Sequence, residues 1–388
     1  MTGRLSIYVT AVFVFLSLCG CGKDKLSSQD MEGKKDVFME LALCVDRMGP
    51  LTRLTEAQET SIRDVLVLVF EKDAQGDFVF GYIPETVGWS DGMLRLKMRA
   101  EVADIRVAIL ANLDLEQTGG EVFQDGVKVV GSGEDIETAF DDLLFDCTEQ
   151  ALKNGWKDNA FPMWWMMEES VRLEPGMDLF YGSIWLLRAV SKVNLLNVAE
   201  EFVLVEAYVY NCLKQGKTVP FLKNVYTYDL DGKNGPVADK PSLPSSVEKH
   251  GLVRLDASVQ IVSGGQKIAD AIYLPEAAAP SRTDKDGNMY PCHPDATCLV
   301  VGGKYDGSDR ITYYRIDITV PVSGGNAFST ITSTDYSDVV RNGRYDITIT
   351  EVRSEGSATP ESALGNRADI GGIIEAWQKG PDAGMVVE

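Results

Sequence analysis

Short runs of apolar and β-branched residues, separated by glycine, proline, aspartate and asparagine, dominate the chain after its first 35 residues. Such runs are typical of β-strands, because β-branched and aromatic side chains fit a pleated, half-buried surface. The alternation is clearest where Tyr345, Ile347 and Ile349 fall on one face of a strand. The pattern predicts strands at 37–46, 62–71, 93–99, 105–113, 181–196, 252–262, 268–274, 297–301, 311–320 and 345–352.

One helix is predicted among these strands. Within residues 135–153, apolar side chains recur at helical spacing, at Phe140, Leu143, Leu144 and Cys147. Many short strands with few helices favour two packed antiparallel sheets over a parallel α/β fold. We therefore expect an all-β protein of antiparallel β-sandwiches with a minor helical insertion.

The first residues have the pattern of an export signal. Arg4 precedes an apolar run at 7–18, which is too short for a transmembrane helix but typical of a signal-peptide core. The run ends at Leu18-Cys19-Gly20-Cys21, the pattern that bacterial lipoprotein signal peptidases accept. The sequence predicts a signal peptide at 1–20 and lipid attachment at Cys21; an ordinary secreted protein is the alternative.

The length of the chain indicates the number of domains, and its net charge excludes one class of partner. A chain of 388 residues exceeds what one core usually supports, so we expect two domains, with the boundary near residues 196–205. The net charge of −21 argues against nucleic acid as a partner, because clustered Lys and Arg are needed to displace phosphate counterions.

Candidate catalytic and metal-binding groups are scarce. The two histidines, His250 and His293, lie in loop-like contexts and lack a second ligand at metal-binding spacing. The acidic turn at 284–288 has its glycine at the wrong position for an EF-hand, so a polar turn is favoured over a calcium site. The sequence contains no Walker loop, dinucleotide fingerprint or nucleophile elbow. We expect no enzyme activity, no metal and no cofactor.

The cysteines leave their pairing open. Without Cys19 and Cys21, an odd number remains, so they cannot all pair within the chain. Cys292 and Cys298 lie in one predicted loop, where a small disulfide and two free thiols are equally open. The aromatic run at 161–167 is interpreted as core packing in preference to a ligand platform.

Several segments, in order along nearly the whole chain, resemble the FimA-type fimbrillin family, the pilins of gut and oral Bacteroidia. Each motif is weak alone, and their shared order carries the resemblance. They are the lipobox ending at Cys21 and the segments 62–70, 107–113, 161–163, 187–193, 313–316 and 340–347.

The resemblance implies two transthyretin-like β-sandwiches and a maturation step. Subunits of this family reach the outer membrane as lipoproteins, and an arginine-specific surface protease then removes the N-terminal stretch with its first strand. Here the implied first strand is 37–46 and the implied cut lies between Arg53 and Leu54, with Arg47 as the second choice. This cut implies a lipidated propeptide at 21–53, followed by domains at 54–200 and 201–388. Release of the strand requires that Cys44 is not bonded to the rest of the chain.

The resemblance also implies that a strand from another subunit fills the opened groove. Such β-strand addition gives affinity through main-chain hydrogen bonds and register through alternate side chains. The expected donor in this chain is 373–388, although glycines at 371 and 372 interrupt the alternation. A last strand paired within its own domain is the alternative. The expected donor residues are Ile373, Ile374, Trp377, Met385, Val386 and Val387.

The resemblance therefore predicts a structural pilus subunit, in the shaft or near the anchor, at the outer cell surface. Its expected partners are other copies of itself or related pilins, the arginine-specific protease and, through the lipid anchor, the outer membrane. One alternative is a tip or accessory adhesin that binds a host glycan or protein through loops such as 229–249. Another is a surface glycan-binding lipoprotein.

Overall fold

The computed structural model describes residues 36–45, 60–90, 92–154, 156, 160–230, 233–268, 272–281, 283, 285–288, 290, 292–321, 334–366 and 370–377. The helices within these residues are α1 (Glu149–Asn154), α2 (Pro360–Gly365) and a 3₁₀ turn (Leu222–Asn224). The strands are β1 (Val37–Val45), β2 (Val65–Lys72), β3 (Phe78–Tyr82), β4 (Glu85–Ser90), β5 (Met93–Met98), β6 (Ala103–Ala111), β7 (Glu116–Thr118), β8 (Glu121–Gln124), β9 (Val127–Val130), β10 (Leu144–Asp146), β11 (Met163–Met166), β12 (Val171–Leu173), β13 (Asp178–Arg188), β14 (Val190–Asn197), β15 (Phe202–Tyr210), β16 (Gln215–Lys217), β17 (Val225–Leu230), β18 (Lys233–Ala238), β19 (Leu252–Arg254), β20 (Val259–Val262), β21 (Gly265–Ile268), β22 (Ile272–Pro275), β23 (Cys298–Tyr305), β24 (Ile311–Asp317), β25 (Thr319–Pro321), β26 (Thr334–Tyr336), β27 (Arg344–Val352) and β28 (Ile370–Trp377).

The first sandwich is formed by strands from β1 to β13. One sheet has the order β4-β5-β1-β13, and the other has the order β3-β2-β6-β11-β13, with β12 also paired to β6. The first part of β13 pairs with β1 and its last residues pair with β11, so this strand belongs to both sheets. Inward side chains of the two sheets form one hydrophobic core, which includes Leu41, Leu96, Leu68 and Ile109.

The second sandwich has its own core. One sheet has the order β20-β21-β14-β27-β28, with β22 paired to β14, and the other has the order β19-β15-β23-β24. Val193, Ile347 and Ile374 from the first sheet pack with Val209 and Tyr314 from the second. The predicted fold class, an all-β protein with two sandwich domains, is confirmed.

The predicted strand 181–196 is two strands that belong to different sandwiches. β13 ends at Arg188, and β14 begins at Val190 and pairs in parallel with β27. Between them, the amide of Ala189 donates a hydrogen bond to the Pro162 carbonyl. β14 therefore pairs within the second sandwich, whereas the predicted domain 54–200 includes it. The continuous apolar run carries no glycine or proline to mark this change of sheet.

The predicted helix at 135–153 is wrong over most of its length. Its first half is a series of turns, opened by the Asp135 carboxylate, which accepts a hydrogen bond from the Glu137 amide at 2.8 Å. β10 follows, and only α1 is helical. Successive turns can bury residues such as Phe140 and Leu143 as well as a helix can, so apolar spacing did not distinguish the two.

Candidate functional site

β1 is a central strand of the first sandwich. It pairs in parallel with β13, from Phe38 opposite Asp178 to Val45 opposite Leu186, and antiparallel with β5, from Val37 opposite Met98 to Ala42 opposite Met93. Both edges of β1 are therefore hydrogen-bonded to neighbouring strands. Without β1, the facing edges of β5 and β13 would be left without a partner.

The inward face of β1 fills a deep apolar slot. The side chains of Val37, Met39 and Leu41 are fully buried, and Leu43 is almost so. They alternate with less buried residues, as the period of two in a strand requires. Burial of one such side chain contributes about 1.5–3 kcal/mol, so these four form a large part of the core under this sheet.

The outward face of β1 is held by basic side chains of β5. The Arg95 guanidinium forms an ion pair with the Glu40 carboxylate, and its second terminal nitrogen lies 3.4 Å from Oδ2 of Asp178 on β13. The same guanidinium lies 4.7 Å from the centre of the Phe38 ring. Lys97 Nζ lies 3.1 Å from Oδ1 of Asp36, the residue before β1. Arg95 therefore contacts side chains of both β1 and β13.

A β-bulge shifts the register between β1 and β13 by one residue. Glu40 lies opposite Phe180, but Leu41 lies opposite Gly182, so Tyr181 has no partner on β1. Gly182 has a φ of 115°, a backbone conformation that residues other than glycine rarely adopt. The pairing of β1 with β13 therefore continues past a local backbone irregularity of β13.

Cys44 lies near the end of β1 as a half-buried free thiol. Burial raises the pKa of this thiol, and a hydrogen bond with Ser183 on β13 partly opposes the rise. A Cys44 that is not disulfide-bonded is what the predicted release of the first strand requires.

The predicted lipidation and cleavage residues cannot be placed. Cys21, Arg47, Arg53 and Leu54 all lie outside the described residues and stay predictions. The segment 46–59, which contains both arginines, is the covalent connection from β1 to the rest of the sandwich.

The first half of the predicted donor is already paired in the second sandwich. Ile373, Ile374 and Trp377 belong to β28, which runs antiparallel to β27. Ile374 is buried in the core, whereas Ile373 is 44% exposed. This pairing matches the alternative reading of the last strand, since glycine at 371 and 372 does not prevent a strand from forming at a sheet edge. Beyond the described residues lie the remaining predicted donor positions, Met385, Val386 and Val387.

Cys292 and Cys298 are not joined by a disulfide, which decides between the two states that the sequence left open. Cys298 is a fully buried free thiol, and burial raises its pKa well above the ordinary thiol value. Cys147 and Cys212 are also buried free thiols. Cys298 is the first residue of β23, so its thiol is held in the core instead of the loop that the sequence predicts.

The histidines make structural contacts. The His250 ring nitrogen Nε2 lies 2.6 Å from the carbonyl oxygen of Cys147, and the His293 ring packs on Tyr290. Among the described residues, no three His, Cys, Asp or Glu side chains are grouped so as to hold a metal ion. In the same part of the chain, no helix has the length and apolar character needed to cross a membrane.

The aromatic run at 161–167 packs in the core, as predicted. β11, which contains Trp164 and Trp165, lies between β6 and β13. Both indole rings are at most 9% exposed, and Phe161 packs on Tyr273 with ring centres 4.4 Å apart.

The basic pair on β5, Arg95 and Lys97, was not predicted from the sequence. Residues 93–98 alternate strictly, so Leu94, Leu96 and Met98 point inward while Arg95 and Lys97 point outward. The same alternation in β1 places Glu40 outward. Opposite charges on the outward faces of two strands favour their pairing as neighbours, and the sequence shows such charges on β1 and β5.

No protein-family model matches the sequence, and no curated protein matches it. Among solved structures, the chain is similar to the tip fimbrial protein Mfa3 from Porphyromonas gingivalis with C-terminal truncation, at 14% identity and a TM-score of 0.51, over 89% of this chain and 100% of that one. It is also similar to a fimbrilin (FimA) from Porphyromonas gingivalis, at 13% identity and a TM-score of 0.48, over 88% and 96% of the two chains. A third similar structure is the fimbrial anchor protein Mfa2 from Porphyromonas gingivalis, at 9% identity and a TM-score of 0.36, over 88% and 96%. The match to the tip protein extends over the whole of that chain, so this chain shares the fold of that protein.

Proposed function

We propose that this chain is a fimbrial subunit of the bacterial cell surface that assembles by exchange of a β-strand in its first sandwich. The fold shared with a fimbrial protein supports the proposal. The observation that carries it is the position of β1, a central strand with four buried apolar side chains that is joined to the rest of its sandwich by one segment, 46–59.

A cut in that segment would leave β1 held only by non-covalent contacts. Its departure would expose the backbone edges of β5 and β13 and the apolar slot between them, a combination that favours the addition of a strand from another chain. A head-to-tail contact of this kind does not close on itself, so it generates a filament.

The maturation steps belong to the same proposal. Lipid at Cys21 would hold the precursor at the outer membrane until an arginine-specific protease cuts between Arg53 and Leu54, or after Arg47. The lipid anchor and β1 would then leave together. The proposal assigns no chemical reaction, metal or cofactor to the chain.

A second candidate function is a tip or accessory subunit of the same pilus. The pairing of β28 with β27 favours it, because a strand committed to its own sandwich is not available as a donor. A tip subunit needs an acceptor groove but has no subunit beyond it to complete. The shaft role requires a donor from residues 378–388 or release of β28.

Proteolysis of the unlipidated precursor tests the proposal. The Cys21→Ala chain is treated with an arginine-specific protease, and products are followed by mass spectrometry and unheated SDS gels. A shaft subunit gives an SDS-resistant ladder after a cut at 46–59. A tip subunit stays monomeric alone but joins the ladder of a cleaved companion pilin.

The matched control is the Arg47→Ala, Arg53→Ala double variant, which should stay intact and monomeric under the same conditions. Deletion of residues 378–388 should abolish the ladder of a shaft subunit. Clean removal of β1, followed by neither self-assembly nor incorporation beside a companion pilin, would refute strand exchange.

A further inference from the structure

The outward face of β1 is acidic where the neighbouring strand is basic. Glu40 pairs with Arg95, and Asp36 pairs with Lys97. The charge contacts are partly solvated, since the side chains of Arg95 and Glu40 are 41% and 31% exposed. Ion pairs of this exposure contribute little to stability, but complementary charges select partners and fix their alignment.

The inward face alone cannot fix the register of a strand in this groove. A slip of one residue turns the apolar side chains outward and is strongly disfavoured. A slip of two residues in one direction keeps apolar side chains inward, with Val45 in the fourth place, so the slot of Val37, Met39, Leu41 and Leu43 opposes it only weakly. In the other direction Lys35 would enter the slot. Something on the outward face is needed to distinguish registers that differ by two.

Arg95 is placed to make that distinction. It lies directly opposite Glu40 in the antiparallel ladder. A slip of two would bring either Phe38 or Ala42 opposite the guanidinium and move Glu40 opposite Met93 or Lys97. The direct pair of Glu40 with Arg95, which also contacts Asp178 on β13, would then be lost.

We infer that Arg95 and Lys97 determine which strands the vacated groove accepts. The partner is a β-strand of a different pilin subunit, with large apolar residues at four alternate positions, a carboxylate opposite Arg95, and a second carboxylate four residues earlier, near Lys97. This inference rests on the proposed strand exchange and names the partner chemistry of the same groove.

Residues 370–388 of this chain fit this description poorly. In none of the possible registers does the segment 370–388 carry four large apolar residues at alternate positions. Ile374 is flanked at alternate positions by Gly372 and Ala376, whereas the equivalent series in β1 is Val37, Met39, Leu41 and Leu43. The groove is therefore matched to a strand from another subunit type.

Competition between peptides for the groove tests the inference. The full Cys21→Ala chain is nicked within 46–59, so that β1 stays bound without a covalent link, and is incubated with fluorescent peptides. The parent peptide is residues 36–45 with Cys44→Ser, and its variants carry Glu40→Gln or Glu40→Lys. We expect the glutamine peptide to bind roughly fivefold more weakly and the lysine peptide more weakly still.

Changes in the groove should alter this preference. Arg95→Gln should bind the glutamate and glutamine peptides equally, and Arg95→Glu should prefer the lysine peptide. The matched control is Arg172→Gln on β12, since Arg172 is an exposed arginine that pairs with Asp104 on β6, away from β1. It should keep the parent preference.

The outcomes distinguish failure of charge selection from failure of the proposed strand exchange. If all three peptides exchange equally in the parent protein, charge selection is wrong and strand exchange stands. If a peptide of residues 370–388 competes as well as the parent peptide, the claim of a different donor subunit is wrong. If no peptide exchanges after nicking, the proposed strand exchange fails, and the charge selection fails with it.

Discussion

The strands β1 and β28 lie near opposite ends of the described chain and are held in different ways. β1 is central, hydrogen-bonded on both edges, with fully buried side chains inward and ion pairs outward. β28 ends the strand order of its sheet and pairs with β27 alone among the described strands. The strand proposed to leave is thus the more heavily bonded one. Its release needs a replacement that restores the same contacts, which is the physical logic of strand exchange.

Truncation of an inward-facing side chain should lower the free energy of unfolding more than any other change considered. The loss should be larger in β1 than in β28. We expect Leu41→Ala to lower the free energy of unfolding by about 3 kcal/mol, because a cavity between two fixed neighbouring strands relaxes poorly. Ile374→Ala in β28 should cost about 2 kcal/mol, since an edge strand can shift to fill part of the space. Urea denaturation monitored by tryptophan fluorescence measures both values.

Ile373→Ala is the control for this comparison. Its side chain is 44% exposed, so the same change should cost less than about 1 kcal/mol. Equal costs at Leu41 and Ile374 would contradict the distinction between a central and an edge strand.

Reversal of the charge at Glu40 should have a smaller effect. Glu40→Lys places a cation beside Arg95 and should destabilise the first sandwich by about 1 kcal/mol at low salt, falling as salt is added. Arg95→Glu in the same chain should recover most of the loss. Thermal unfolding of the two single variants and the double variant at several salt concentrations measures this coupling.

Glu149→Lys is the control here, because Glu149 forms an exposed pair with Lys153 on α1. Its reversal should change the unfolding temperature much less than reversal at Glu40. If the stability change of the double variant equals the sum of the changes in the two single variants, the two side chains are not coupled.

The smallest effect should be the pH dependence of β1 retention through Cys44. Burial raises the pKa of this thiol in the bound strand, so bound β1 keeps its proton at pH values where a released strand has lost it. Below the ordinary thiol pKa of about 8.5, ionisation of Cys44 has no effect on the release of β1. Above that pH, ionisation of the released thiol favours release increasingly, until the pH passes the raised pKa.

The amount of β1 that stays bound to the nicked chain, measured by size exclusion at about pH 7 and about pH 9.5, should therefore fall modestly at the higher pH. Cys44→Ser should remove that part of the pH dependence. If the parent protein and the Cys44→Ser variant lose the same amount of β1 at the higher pH, groups other than Cys44 cause the pH dependence.

Apolar runs bounded by polar and turn residues predicted many of the strands. The strand 37–46 was predicted almost to its observed bounds, Val37–Val45, because it is an apolar run that follows Lys35 and Asp36 and precedes Arg47. The core role of Trp164 and Trp165 followed from their size alone. Prediction failed at Asp135 and Ala189, where the same apolar spacing is compatible with turns, with a helix or with a change of sheet.

The sequence by itself determined the β-rich character of the chain and its two-domain organisation, since these depend on residue type and on chain length. The tertiary structure alone decided that β13 pairs with the other edge of β1 and that β28 is committed to β27. Strand pairing joins residues far apart in the chain, and alternation within one strand carries no information about which strand becomes its neighbour.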